Sequence, residues 1–179
     1  MVYVFLAEGF EEIEALAVVD VLRRCNVEVN TVGVGGKQIV GSHGITVTAD
    51  IADTDVKKDN LEAVVLPGGM PGTLNLEKSK VVQEYIDYAA QNDLFVCAIC
   101  AAPSILGHKN LLEGKKATCY PGFEKDLYGA KAVKDATFQD GRFITGKGSG
   151  AAVEFGLLIA ANLCGTEISE NTRKSMQCR

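Results

Sequence analysis

Positive charge is scarce in this sequence: 18 Lys and Arg stand against 23 Asp and Glu, a net charge of -5 over 179 residues, with an isoelectric point near 5.1. Nothing is left over to displace counterions from a phosphate backbone or to grip an anionic bilayer, so neither nucleic acid nor a membrane is expected as a partner. A secretory leader is also missing. Met1 runs directly into Val2-Tyr3-Val4-Phe5-Leu6 with no basic segment, and Glu11-Glu12 follow where a leader would stay apolar, so neither export by that route nor anchoring is expected. Histidine occurs only as His43 and His108, and the C-x-x-C of Cys97 and Cys100 has no second copy, so a zinc site lacks evident ligands and no metal is expected. The six cysteines (Cys25, Cys97, Cys100, Cys119, Cys164, Cys178) are scattered through apolar runs, unlike the dense spacing of a small secreted scaffold. They read as reduced thiols of a cytoplasmic protein.

What is present is the composition of an ordinary globular chain, 47% hydrophobic and 23% charged. A chain of this length buries roughly 70% of its unfolded surface without needing a metal or a disulfide. Short β-branched runs at Val2–Leu6, Val27–Val32, Ala63–Leu66, Leu94–Ile99 and Arg142–Thr145 are expected as strands, several of them apolar on both faces, as in a parallel sheet covered above and below. Between them, Ile13, Leu16, Ala17 and Val21 fall at helical spacing, as do Val82, Tyr85, Ile86 and Ala89, and Val153, Leu157, Ala160, Ala161 and Cys164. Val18, Val19 and Leu22 lie off the face made by Ile13, Ala17 and Val21, so that helix is expected to need cover beyond one sheet, from a partner subunit. Val34–Asp53 reads as a β-hairpin excursion, and Lys115–Asp140 as an irregular stretch with short strands around Tyr120-Pro121-Gly122. With no repeat, linker or low-complexity tract, the expectation is a single three-layer α/β domain over residues 1–179, with its ligand crevice at the carboxyl ends of the strands.

Three loops leave those strand ends: Ala7–Glu14, Pro67–Gly72 and Ile99–Pro103. In the third, a buried strand stops at Cys100 and small residues start a helix at once, the geometry of a nucleophile elbow. A thiol facing a helix N-terminus is expected to have a lowered pKa, but a small buried Cys that only packs fits the spacing equally well. If Cys97 lies in the strand, its sulfur is expected to diverge from that of Cys100, three residues on. Pro67-Gly68-Gly69 is either a plain glycine turn or a backbone donor for a developing oxyanion. Glu11, Glu12 and Glu14 open the first helix, and spacing does not say which of them turns into the crevice. Gly146-Lys147-Gly148-Ser149-Gly150-Ala151 matches a dinucleotide fingerprint but has no later strand to carry a ribose-binding acid, so it reads as a helix start. His108 is expected at the far surface end of its helix, and His43 in a turn.

Taken together, Ala7-x-Gly9-x-Glu11-Glu12-x-Glu14, Val19-Asp20-Val21-Leu22-Arg23-Arg24, Val64-Val65-Leu66-Pro67-Gly68-Gly69, Ala98-Ile99-Cys100-Ala101-x-Pro103 and Gly148-x-Gly150-x-x-x-Glu154-Phe155 resemble the ThiJ/PfpI superfamily. Within it, the likeness is to the Parkinsonism-associated deglycase (DJ-one) branch, and it spans nearly the whole chain. The resemblance implies a flavodoxin-like sandwich that dimerises, Cys100 as the reactive thiol, Glu14 as the carboxyl beside it, and Gly69 and Ala101 as backbone donors to an oxyanion. It implies a cofactor-independent glyoxalase or deglycase acting on methylglyoxal, glyoxal or their early adducts on thiols and amines. The alternative is a redox-sensing or chaperone-like stress protein using the same oxidisable cysteine. Two departures stand out. Ala101 occupies the place where peptidase-like members carry a His, so a cysteine peptidase loses its base. Thr118-Cys119-Tyr120-Pro121 replaces the T-x-H-P loop of many animal relatives, and Tyr120 offers a hydroxyl that is a poor base near neutrality.

Overall fold

In the computed structural model, which describes residues 1–178, the apolar runs become the inner strands of one sheet: β1 (Val2–Leu6), β2 (Val29–Gly33), β6 (Ala63–Leu66), β7 (Phe95–Ile99) and β11 (Phe143–Gly146). The short strands β5 (Ile51–Ala52) and β10 (Thr137–Asp140) close its two edges, in the order β10-β11-β7-β6-β1-β2-β5. Every pair is parallel except β10 with β11. The expected strands thus form, displaced at their ends by a residue or two.

Alternation along each strand sends neighbouring side chains to opposite layers. Val2, Val4, Leu6, Val65, Cys97 and Ile99 meet helices α1 (Glu12–Arg24) and α5 (Ala152–Cys164). Tyr3, Phe5, Val64, Leu66, Val96 and Ala98 meet the layer that contains α2 (Gly72–Lys78), α3 (Lys80–Gln91) and α4 (Pro103–His108). The result is a flavodoxin-like three-layer α/β sandwich. Helices α1 and α3 start where a side chain satisfies an orphan backbone donor: Glu11 accepts from the Glu14 N–H at 2.7 Å, and Ser79 from the Val82 N–H at 3.3 Å. Arg23 and Arg24 in the last turn of α1 oppose its dipole.

The excursion after β2 is only partly a hairpin. β3 (Gln38–Val40) and β4 (Thr46–Thr48) pair antiparallel, but the chain then returns to the main sheet as β5, alongside Val32 and Gly33. The stretch Lys115–Asp140 holds the two-stranded parallel pair of β8 (Lys116–Ala117) with β9 (Lys131–Ala132), a 3-10 turn at Glu124–Asp126, and β10. Val18, Val19 and Leu22, expected to need cover from another subunit, are buried within the chain by α5 and the sheet. The exposed apolar residues of α1 are instead Ile13 (57%) and Leu16 (37%). A last helix, α6 (Thr166–Ser175), packs on α5. Among the described residues, no helix is long and apolar enough to cross a membrane.

Candidate active site

Because β1, β6 and β7 are parallel neighbours, the loops that follow them emerge at one edge of the sheet. β7 ends at Ile99, and Cys100 turns out of the strand with φ +65°, a left-handed conformation that side chains rarely adopt. Backbone bonds hold it there. Its N–H donates to the Gly146 carbonyl at 2.9 Å, and its carbonyl accepts the Tyr120 N–H at 2.8 Å. The sharp turn carries the sulfur into a cavity of about 540 Å³, whose wall also includes Glu14, Gly69, Tyr120 and Ser149.

Glu14, in the first turn of α1, is fully buried. The Gly68 N–H donates to its Oε2 at 2.9 Å and the Ser149 hydroxyl to its Oε1 at 3.0 Å, leaving the carboxyl hydrogen-bonded to the Cys100 thiol as well. Gly68 is the residue that permits this contact. A Cβ there would lie 2.7 Å from both the Cys100 Cβ and the Glu14 Oε2. Gly69 follows at φ +91°, and the backbone N–H groups of Gly69 and Ala101 are directed at the sulfur.

The electrostatics correct one expectation from the sequence. Burial, then the adjacent Glu14 charge and the hydrogen bond to it, push the Cys100 thiol up to about 12, against the lowering effect of the Ala101 and Gly69 N–H groups. The pull of a helix N-terminus does not win, because the thiol is desolvated beside a carboxylate and α4 is only six residues long. Burial also raises the Glu14 carboxyl above its ordinary range, with hydrogen bonds from Cys100, Gly68 and Ser149 pulling the other way and the Glu11 charge adding to the rise. Two anions in contact in such a site are too costly, so thiol and carboxyl each hold a proton more tightly.

A second correction concerns Cys97. Its sulfur was expected to diverge from Cys100, but both pack on the α1/α5 side of the sheet, because Cys100 has left the strand and the alternation no longer applies. All six cysteines are free thiols.

Glu14, Cys100, Gly69 and Ala101, named from the sequence, therefore meet at one point. Tyr120 is at the cavity wall and half exposed. His108 ends α4 and bonds Glu77 through Nδ1 at 2.5 Å, away from the site. Residues that sequence reasoning missed are Ser149, Ser42 and His43. Ser149 belongs to the glycine-rich motif read as a helix start, and only the fold brings its hydroxyl to Glu14. His43 reaches the cavity rim from the β3–β4 hairpin, where its Nδ1 lies 2.8 Å from a Glu12 carboxylate oxygen. Glu11, Glu12 and His43 have ligand-type atoms within 4.8 Å of one another. Those atoms already serve the α1 cap and the hairpin, so they are accounted for without an ion.

Fold and site together define a class: a parallel three-layer α/β protein with a cysteine on a strand-to-helix elbow and a buried carboxyl against its sulfur. The chain belongs to the DJ-1/PfpI family, whose model matches residues 1–162. It is 34% identical to the protein dj-1beta of Drosophila melanogaster over 176 residues, covering 97% of this chain and 94% of the fly protein. It is 33% identical to the Parkinson disease protein 7 homolog of Danio rerio over 175 residues, covering 95% and 93%. Among solved structures, the Drosophila melanogaster DJ-1beta crystal structure matches with a TM-score of 0.93 at 32% identity, over 99% of this chain and 97% of that one. A DJ-1 superfamily protein from Salmonella typhimurium, solved as a mutant, matches with a TM-score of 0.94 at 31% identity, over 98% and 97%.

Proposed function

We propose that this protein is a cofactor-independent, cysteine-dependent glyoxalase or deglycase that converts methylglyoxal, glyoxal or their early adducts on thiols and amines to 2-hydroxy acids. The observation that carries the reading is the buried Glu14 carboxylate bonded to the Cys100 thiol in a small cavity, with the Gly69 and Ala101 N–H groups beside the sulfur. As the sulfur attacks the aldehyde carbon of methylglyoxal, Glu14 takes the thiol proton and delivers it to the former carbonyl oxygen, giving a hemithioacetal. Glu14 then removes the proton from that carbon while a water gives one to the neighbouring ketone oxygen, forming an enediol. Glu14 returns its proton to the second carbon as the hydroxyl on the sulfur-bearing carbon gives its own to the hydroxide left by that water, leaving a lactoyl thioester on Cys100. Water cleaves the S–C bond, releasing lactate and restoring the thiol. Each tetrahedral step puts negative charge on oxygen, and backbone donors near the sulfur are suited to stabilise it.

The test is lactate formation from methylglyoxal by the purified protein and by Cys100→Ser. Production that depends on Cys100 supports the reading, and equal production by both proteins overturns it. A second reading, a redox-sensing or chaperone-like stress protein, draws on the part-exposed position of Cys100 and on a Toxoplasma gondii DJ-1 structure described as oxidized, which matches with a TM-score of 0.94 at 28% identity. Absence of turnover together with selective peroxide oxidation of Cys100 would favour it. The cysteine peptidase reading gains nothing from His43, whose ring is tied to Glu12 at the rim.

A further inference from the structure

A second group of thiols sits at the opposite end of the molecule. Helices α1 and α5 both follow strands that end at the Cys100 edge, so both run back across the sheet and finish together at its far side. Cys25 closes α1, its N–H bonded to the Val21 and Leu22 carbonyls at 3.1 Å, and Cys164 is the last residue of α5. Cys25 is 3% exposed and its sulfur donates to Thr172 Oγ1 of α6 at 3.2 Å. Cys164 is partly exposed, and its sulfur bonds the Ala160 carbonyl at 3.1 Å. Both thiols belong to the same packed cluster between α1, α5 and the sheet, and Cys25 is the neighbouring thiol that acts on Cys164. Neither thiol has any part in the chemistry at Cys100.

Two thiols brought together from positions so far apart in the chain are placed for a bond that closes a very long loop. Cys164 is partly exposed and Cys25 is buried. We propose that Cys25 and Cys164 form a reversible disulfide in response to hydroperoxides, a redox modification site separate from the Cys100 cavity. The Cys164 sulfur attacks the peroxide: an S–O bond forms, the O–O bond breaks, and water leaves, giving a sulfenic acid. The Cys25 sulfur then attacks that sulfur, the S–S bond forms, the S–O bond breaks, and the departing hydroxide takes the Cys25 proton as a second water. Two thiols lose two electrons and two protons, and one hydrogen peroxide becomes two waters. A small dithiol reverses the change. The consequence is a covalent tie between the two helices whose other ends carry Glu14 and follow Ser149. Burial, then the neighbouring Cys25 thiol, raises the Cys164 pKa, which slows its oxidation in the absence of a peroxide challenge.

The experiment uses the full chain carrying Cys100→Ser, which removes competition from the cavity thiol. After exposure to hydrogen peroxide it is digested without reduction and mapped by mass spectrometry, with melting followed in parallel. The expected result is a linked Cys25–Cys164 peptide pair, loss of both thiols within one chain, and a Tm rise of about 10 °C that dithiothreitol reverses. Adding Cys164→Ser abolishes the link and the shift, whereas adding Cys178→Ser leaves both. A link between chains, a link through Cys178, or Cys164 driven to sulfinate while Cys25 stays free would each overturn the proposal.

Discussion

At the scale of single residues, the site depends on placing a carboxyl where water cannot reach it. Glu14 gives the proposed reaction a base whose strength is set by burial, and this fixes the sign of its pH dependence. The carboxylate is the working form and its pKa is raised, so kcat/KM falls as pH drops through a value above 4.5. A pH–rate profile checks this, and an acid limb below 4.5 would contradict it. Glu14→Gln keeps the shape but removes the base, and turnover is expected to fall by about a hundredfold or more. Glu11→Gln, which keeps an oxygen to cap α1, is expected to do much less, and comparing lactate formation by the two variants decides which carboxyl acts. Gly68→Ala tests the contact itself. Its new Cβ would force apart Cys100 and Glu14, so the variant should fold, as circular dichroism can show, yet lose about a hundredfold in rate from a small displacement.

Among the elements, the β3–β4 hairpin is tied down both by Ile39 in the core and by a buried carboxylate. It is too short to stand alone, and Glu12 clasps it to α1 by accepting from the His43 N–H and from the His43 ring, both at 2.8 Å, and from Ser42 Oγ at 3.3 Å. Burial works against the Glu12 charge, but the His43 ring and the His43 and Ile45 N–H groups outweigh it and hold the carboxyl at about 2, below its usual 4.5. The same ring bond raises the His43 pKa above 6.5. A lowered acid stabilises above its unfolded pKa and loses that contribution as pH falls to its folded value. A raised base stabilises below its unfolded pKa and loses its contribution as pH rises through the folded one. The clasp is therefore complete between about pH 4.5 and 6.5 and loosens on either side. Hydrogen exchange over residues 38–48, corrected for intrinsic rates, should speed up between pH 6 and pH 9, and His43→Ala should remove that change. An unchanged wild-type pattern would refute the clasp. His43 looked like an ordinary turn residue in the sequence, because nothing near it in the chain is its partner.

For the whole molecule, we propose a two-fold homodimer built on the exposed apolar residues of α1. Ile13 and Ile45 (54% exposed) both line the Cys100 cavity, and Leu16 lies one turn along the helix from Ile13, so the patch adjoins the rim. Light scattering should report about twice 19.0 kDa at micromolar concentration. Leu16→Asp should shift the mass toward the monomer, and a monomeric wild type would remove the proposal. The helix pattern did signal an excess of apolar residues. It pointed at Val18, Val19 and Leu22, which α5 covers, because periodicity counts apolar positions on a helix without knowing how many neighbours the fold will lay against it.

The sequence by itself determined the strands, the alternation of layers and the elbow at Cys100, because each rests on local periodicity or on a few adjacent residues whose conformational preferences act over short range. Spacing left three carboxyls open, and only the resemblance singled out Glu14. The tertiary structure alone decided that Ser149 and Gly68 hold it, that Cys100 shares a side of the sheet with Cys97, and that Cys25 neighbours Cys164. Those facts depend on pairings between distant segments. They depend also on desolvation, which a residue acquires only when the layers close over it; that is why the Cys100 thiol, read from its helix as acidic, is pushed up instead.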